Sequence, residues 1–280
     1  MRRLGLALLL ISHLLLISHL LLISHLLPAA EADYAPAIAG EVLHANTLEF
    51  GVLNFRDVVA RPEMKGRKIL FDKCQAKAYG GTVTGWLSID LPQPDPAGGP
   101  SSAIIYRGHF ELAKADVATL LRQLGGNAEN LSGTLNGWVD FSLPADHPEQ
   151  MSGHGELSLT DGNFVQLPVL ANFLVGDPGA NKGKDRFDTR FNLGDGKLTL
   201  VFAHIDAPAA KISIAGHVGY DGDLRLSLEP LFANKIANAL TGGVATFILN
   251  PLTRRAARFT VRGQITNPVL VSDPFGKSAE

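Results

Sequence analysis

The residues with the most chemical reach in this 280-residue chain are nine histidines and one cysteine. His154 stands between Gly153 and Gly155, close to Glu156 and Asp161. A histidine so placed can serve as a general base only with a positioned substrate and an acidic partner. On a strand of alternating polarity it is simply a polar surface group, and that is the reading adopted. His109, His204 and His217 are each isolated on strand-like runs, without the compact spacing of a zinc site. Ser158 and Ser213 are ordinary strand positions, and neither a G-x-S-x-G elbow nor a G-x-x-x-x-G-K-[ST] phosphate loop occurs. Cys74 lies in ILFDKCQAKAYGG with no base identified to activate it, so it reads as a passive thiol. As the single cysteine it excludes an intrachain disulfide.

Three further histidines, His13, His19 and His25, repeat every six residues within ISHLLL units. Along a helix each step rotates by about 600°, or about 240° net. The three rings point in different directions and make no ligand set. The Asp-Gly pairs Asp161-Gly162, Asp195-Gly196 and Asp221-Gly222 lack the closely spaced oxygen ligands of an EF-hand and read as turns. No catalytic residue, metal site or cofactor is therefore expected, and the chain reads as non-enzymatic.

The elements that carry these residues are strands. From Met151 to Glu229 short runs alternate apolar and polar residues, and Gly or Asp-Gly punctuates them. That is the pattern of successive β-hairpins. The clearest meander comprises 186–193, 197–205, 211–218 and 223–228. Earlier strands are expected within 38–59, at 69–72, 82–91, 103–112 and 131–143, and at 151–159, with a last one at 259–265. Arg61 to Arg67 reads as a polar interruption, Gly80-Gly81 as a turn, and Asn136-Gly137 as a turn or a bulge. PQPDPAGGPSS is a loop. Three helical segments are expected. One is capped by Asp116 and ended by Gly125-Gly126, one runs from Phe164 to Val175, and one lies within Leu231 to Leu249. The third reads as packed or surface-lying, with a membrane-interface role as the alternative. The expected class is mainly β with a few short helices. Its sheet is extended, curved and antiparallel, built of amphipathic strands.

The N-terminus sets the compartment. After Met1-Arg2-Arg3, Leu4 to Leu27 contains no Asp, Glu, Lys or Arg. As a helix this run rises roughly 36 Å, enough to cross a bilayer. Residues 1–32 read either as a membrane anchor or as a signal peptide cleaved at Ala30-Glu31-Ala32. Residues 33–275 form the β-rich domain and 276–280 a tail. A net charge of −2 without a basic tract gives no footprint for nucleic acid.

One face of such a sheet needs a cover, either helices or a ligand. Acyl chains could fill an open groove at about 0.8 kcal/mol per buried methylene. By period-two spacing the lining candidates are Leu157 with Leu159, Ile212 with Ile214, and Leu224, Leu226 and Leu228. The alternative is that all are ordinary core.

The order FELAKADVATLLRQLGG, LSGTLNGWVDFSL, MSGHGELSLTDGNFVQLPVLANFL, then FNLGDGKLTL, KISIAGHVGYDGDLRLSL and FTVRGQITNPVLVSDPF, resembles the C-terminal region of AsmA-like proteins. The likeness covers about residues 69 to 275. That family belongs with the TamB-like and YhdP-like proteins of the bacterial envelope. The resemblance implies a body on the outer side of the inner membrane, held by the N-terminal segment, and no cofactor. It implies phospholipid as the ligand, outer-membrane homeostasis as the task, and envelope partners or self-association. This chain is shorter than the larger members, whose sheets approach the opposite membrane. Two other readings stand beside it. One is a secreted carbohydrate-processing or carbohydrate-binding β protein, which needs paired carboxylates and exposed aromatics. The other is a membrane-associated scaffold without a groove.

Overall fold

A computed structural model describes residues 42–50, 53–92, 103–123, 132–162, 185–207, 211–231, 258–264 and 269–272. Thirteen strands among these residues form one open antiparallel sheet, in which spatial order equals chain order. The strands are β1 (Leu43–Phe50), β2 (Leu53–Lys65), β3 (Lys68–Ala78), β4 (Gly81–Asp90), β5 (Ile105–Asp116), β6 (Thr134–Pro144) and β7 (Ser152–Gly162). They continue with β8 (Asp185–Gly194), β9 (Lys197–Asp206), β10 (Lys211–Gly219), β11 (Asp223–Leu231), β12 (Phe259–Gln264) and β13 (Val269–Ser272). The expected class is thus the observed one. The segments 1–32, 164–175 and 232–249 lie outside the described residues. Among those described, no helix is long and apolar enough to cross a membrane.

Turn chemistry sets the register. Tyr79-Gly80 and Asp195-Gly196 are two-residue hairpin turns with positive φ at both positions (54° and 80°, 52° and 68°), the twist that suits a tight antiparallel reversal. The first of these turns therefore falls one residue before the expected Gly80-Gly81, and Gly81 already belongs to β4. Asp221-Gly222 closes the β10–β11 hairpin, with the Gly222 amide donating to the Gly219 carbonyl at 2.9 Å. Asp161-Gly162 is different. It lies inside β7, where Asp161 has φ 54° and the register against β8 slips between Leu159 and Gly162. This is a bulge rather than a turn.

Similar bulges occur at Asp57, Lys73 and Lys114, which have φ of 50°, 51° and 56° beside slips in β2–β3, β3–β4 and β5–β6. Each bends its strand and increases its twist, so the sheet curves. The displaced amides find side-chain acceptors: Lys73 N donates to Asp72 Oδ1 and Lys114 N to Asn136 Oδ1, both at 2.9 Å. Asn136-Gly137 is therefore neither turn nor bulge but mid-ladder in β6, paired with Ser158 and Leu157. The expected polar interruption from Arg61 to Arg67 is also corrected, because β2 runs through Pro62 to Lys65. Proline is tolerated there because β1 begins opposite Ala60, so among the described residues that side of β2 has no ladder bond at Pro62 to lose.

Alternation gives the sheet two unlike faces. In β8, Phe187, Thr189, Phe191 and Leu193 are buried, while Arg186, Arg190 and Asn192 between them are exposed. The inner face continues through Leu198, Leu200, Ala203 and Ile205 of β9, Ile212, Ile214 and Val218 of β10, Leu224, Leu226 and Leu228 of β11, and Val261 of β12. The short helix α1 (Val117–Gln123) packs on this face through Val117 and Leu120, both buried. Asp116 caps it as its side chain implied, accepting from the Thr119 amide at 2.7 Å.

Candidate functional site

Among the described residues the inner face is not closed along its whole length. Across β1 to β8 it encloses an apolar cavity of about 680 Å³, within the range of roughly 300–1,000 Å³ usual for small-molecule sites. Its walls are apolar side chains at inward positions, among them Phe55, Val83, Leu87, Leu112, Val139 and Phe141. Gly85 and Gly137 occupy inward positions of β4 and β6, where the Phe110 and Leu157 side chains lie over the backbone. A Cβ on Gly85 would lie 2.0 Å from the His109 carbonyl oxygen, and one on Gly137 2.4 Å from Leu157 Cδ2. Neither position accepts a side chain without displacing its neighbour.

The cavity has an open side and a closed end. At the β1 edge, Leu43 and Leu48 line it while keeping 49% and 47% of their surface in solvent. At the other end Phe191 on β8, almost fully buried, forms the wall. Its ring lies over Gly155, where a Cβ would meet Phe191 Cζ at 2.6 Å. Beyond Phe191 the inner face is packed core.

Of the lining candidates drawn from the sequence, Leu157 lines this cavity. Leu159, Ile212, Ile214, Leu224, Leu226 and Leu228 share its face but are buried in the core, at 0–5% exposure. Period-two spacing assigned their face; it carried no information about which stretch of that face is covered. Leu48, Phe55, Val83 and Leu87 are lining residues the candidate set omitted, and the alternation in TVTGWLSIDL was the available signal for two of them.

The polar content of the cavity is small. Glu111 borders the cavity, but its carboxylate lies on the opposite face, 3.3 Å from His109 Nε2. Cys74 lines the wall with Sγ 3.4 Å from the Phe71 carbonyl oxygen, and burial pushes its thiol pKa up. A thiol so placed is the passive group expected. Tyr79 also lines the cavity. Its side chain is more than nine-tenths buried, and its hydroxyl has no hydrogen-bond partner.

The chemically richer histidines are on the opposite face. His109 Nδ1 is hydrogen-bonded to Asp140 Oδ1 at 2.9 Å. Trp138 stacks on the His109 ring at 6.1 Å between centroids and meets the His154 ring edge-on at 5.3 Å. His154 Nε2 lies 3.8 Å from Asp140 Oδ2. His204 is bonded to Ser213 Oγ at 3.0 Å and packs edge-on against Phe202. His109 and His154 thus come together, whereas His204 belongs to a separate pair further along the sheet. Among the described residues no set of three or more His, Cys, Asp or Glu side chains could hold a metal ion. Cross-strand pairing accounts for these contacts except that of Phe202 with His204, which are neighbours along β9.

Fold and site together define an open antiparallel β-sheet with an apolar groove at its N-terminal end. Compared with protein-family models, with curated proteins and with solved structures, the chain matches none.

Proposed function

We propose that this is a non-enzymatic envelope protein of AsmA-like type, which binds or guides phospholipid acyl chains along the groove between β1 and β8. The observation that carries the reading is the apolar cavity of about 680 Å³ with an open side at Leu43 and Leu48. Exposed apolar surface of this extent is unfavourable in water unless something covers it. Burying ten methylenes there contributes about 8 kcal/mol before ordering costs, enough to hold a chain while leaving it able to depart. In this reading the N-terminal segment holds the protein at the inner membrane, the sheet stands in the periplasm, and the lipid serves outer-membrane biogenesis.

The carbohydrate reading gains less support. Sugar cleavage needs paired carboxylates in a polar cleft, whereas the walls of this cavity are apolar, and the Trp138 ring already packs against His109 and His154. A groove-less scaffold accounts for the sheet but not for the apolar cavity across β1 to β8.

The test is native mass spectrometry of protein released gently from its own membrane, followed by lipid analysis. Phospholipid is expected at fixed stoichiometry in the parent. Leu48→Asp, at a half-exposed lining position, is expected to lower lipid occupancy at least tenfold with unchanged melting. Leu226→Asp is unsuitable as a probe, because that side chain is fully buried and its loss reports folding. A folded parent protein that repeatedly carries no lipid and takes none from labelled vesicles rules out the lipid reading and leaves the scaffold.

A further inference from the structure

The groove is blind. Every strand from β1 to β6 gives it several side chains or bare backbone, but β7 gives Leu157 alone, β8 gives Phe191 alone, and β9 to β13 give nothing. The sheet itself continues past this point, so the groove ends because something fills the inner face there. The register shows what fills it. Val139 of β6, Gly155 of β7, Phe191 of β8 and Leu200 of β9 stand opposite one another in one cross-strand row. Gly155 has no side chain, and the tip of the Phe191 ring takes that place, with Cζ 2.6 Å from where a Cβ would stand. The ring therefore leans from β8 back over β7, towards Val139 and the groove. Behind it Leu200 is buried in the packed core.

A groove with one opening constrains how a lipid occupies it. Among the described residues no lysine or arginine lines it, so a charged headgroup carried inside would be buried without a counter-charge, which is strongly unfavourable. The chain enters tail first, and the headgroup stays at the β1 side, where Leu43 and Leu48 are half in solvent. Each methylene that leaves a bilayer for the groove exchanges one apolar environment for another. Each methylene beyond the end wall stays in water, which costs about fourfold in affinity.

We infer that Phe191 is the end stop of the groove and sets the length of acyl chain that it takes, with the terminal methyl against the ring. This rests on the lipid reading and adds to it the residue that selects among chains.

The test uses the full chain held in amphipol, with protein-free amphipol as the blank. It is incubated with phosphatidylcholine vesicles that carry equal amounts of saturated lysophosphatidylcholines from decanoyl to eicosanoyl. Native mass spectrometry of the separated protein reads the occupancy of each chain length, relative to its content in the vesicles. In the parent, occupancy is expected to be flat up to a limiting length and to fall about fourfold for each further methylene. Phe191→Leu shortens the wall and is expected to move the limit up by about two carbons, since the next strand lies only about 4.8 Å further on. Val139→Phe, at a half-buried lining position on the near side of the ring, is expected to move it down. Melting curves establish that each variant folds. Should Phe191→Leu fail to fold, Val139→Phe decides alone, because it fills space rather than emptying it. An unmoved limit in a folded variant overturns the inference and leaves the groove intact, as does a parent that binds these lipids without any limit. A parent that takes up no lysophosphatidylcholine of any length overturns the lipid reading and the inference with it.

Discussion

His109 illustrates how little of the histidine chemistry is free to act. Burial alone lowers the basicity of its ring, but hydrogen bonds and charge from Asp140 and Glu111 outweigh that, and its pKa stands above the ordinary 6.5. A proton bound more tightly in the folded state stabilises the fold below the unfolded-state pKa, and this contribution fades as pH rises through the raised folded value. The parent protein is therefore expected to lose a small increment of stability above pH 6.5, with Asp140→Asn abolishing most of it. Urea denaturation across pH 5.5 to 8.5 measures this, and NMR titration of the ring locates the midpoint. A midpoint below 6.5 in the parent would contradict the assignment. At this scale the sequence was partly legible. His154 near acidic residues was recognisable as a surface group, and Cys74 as a passive thiol. Tyr79 carried no signal of its own, because nothing in AKAYGG shows that a turn tyrosine will fold inward over a cavity whose walls come from strands far along the chain.

The strands were legible wherever alternation was strict. β8 to β11 follow their expected limits to within a few residues, since Asp-Gly at the turns and period-two spacing between them agree. Asp161 in β7 and Pro62 in β2 were misread, and Val201 breaks the count inside β9, whose limits were read correctly. Val201 and Phe202 both face outward, at 54% and 45% exposure, and the register against β8 skips at this point. The same surplus residue appears against β10, where Gly216 pairs with Leu200 and Ser213 with His204. Because the surplus lies on β9 alone, removing it restores an unbroken alternation from Leu198 to Ile205. Deletion of Val201 is expected to change stability by no more than about 1 kcal/mol. Deletion of Arg190 in the unbulged β8 forces one side of that strand to the wrong face. With Phe187 or Phe191 exposed, the loss is expected to exceed about 3 kcal/mol. Urea midpoints of the two deletion variants test the pair, and equal losses would show that the bulge is needed for the fold.

The whole sheet is open, and its two ends differ. β1 borders the groove, whereas β13 presents Val269 and Val271, at 53% and 42% exposure, on a strand paired on one side only among the described residues. An unprotected edge of this kind is a template for further pairing. Val271→Lys is expected to reduce concentration-dependent self-association in sedimentation velocity without altering the melting temperature. If the parent is monomeric at all concentrations, the edge is not used in this way. Fold class was readable at this scale because many weak signals agreed. Which part of the inner face is covered was not, since coverage depends on curvature, and curvature depends on bulges that leave little trace in composition.

Each interior strand of the described sheet pairs with the one before it and the one after it in the chain. A strand therefore never waits for a distant partner to be made. Contacts of this local kind carry small loop-closure costs and favour rapid assembly. A chain that emerges N-terminus first lays down β1 against β2, then β3, and so on, each hairpin finding its template already in place. The groove-bearing strands would be finished first. By the same logic, hairpins can be gained or lost at the C-terminal end without rethreading the remainder, so length is the property of this architecture that can change most freely.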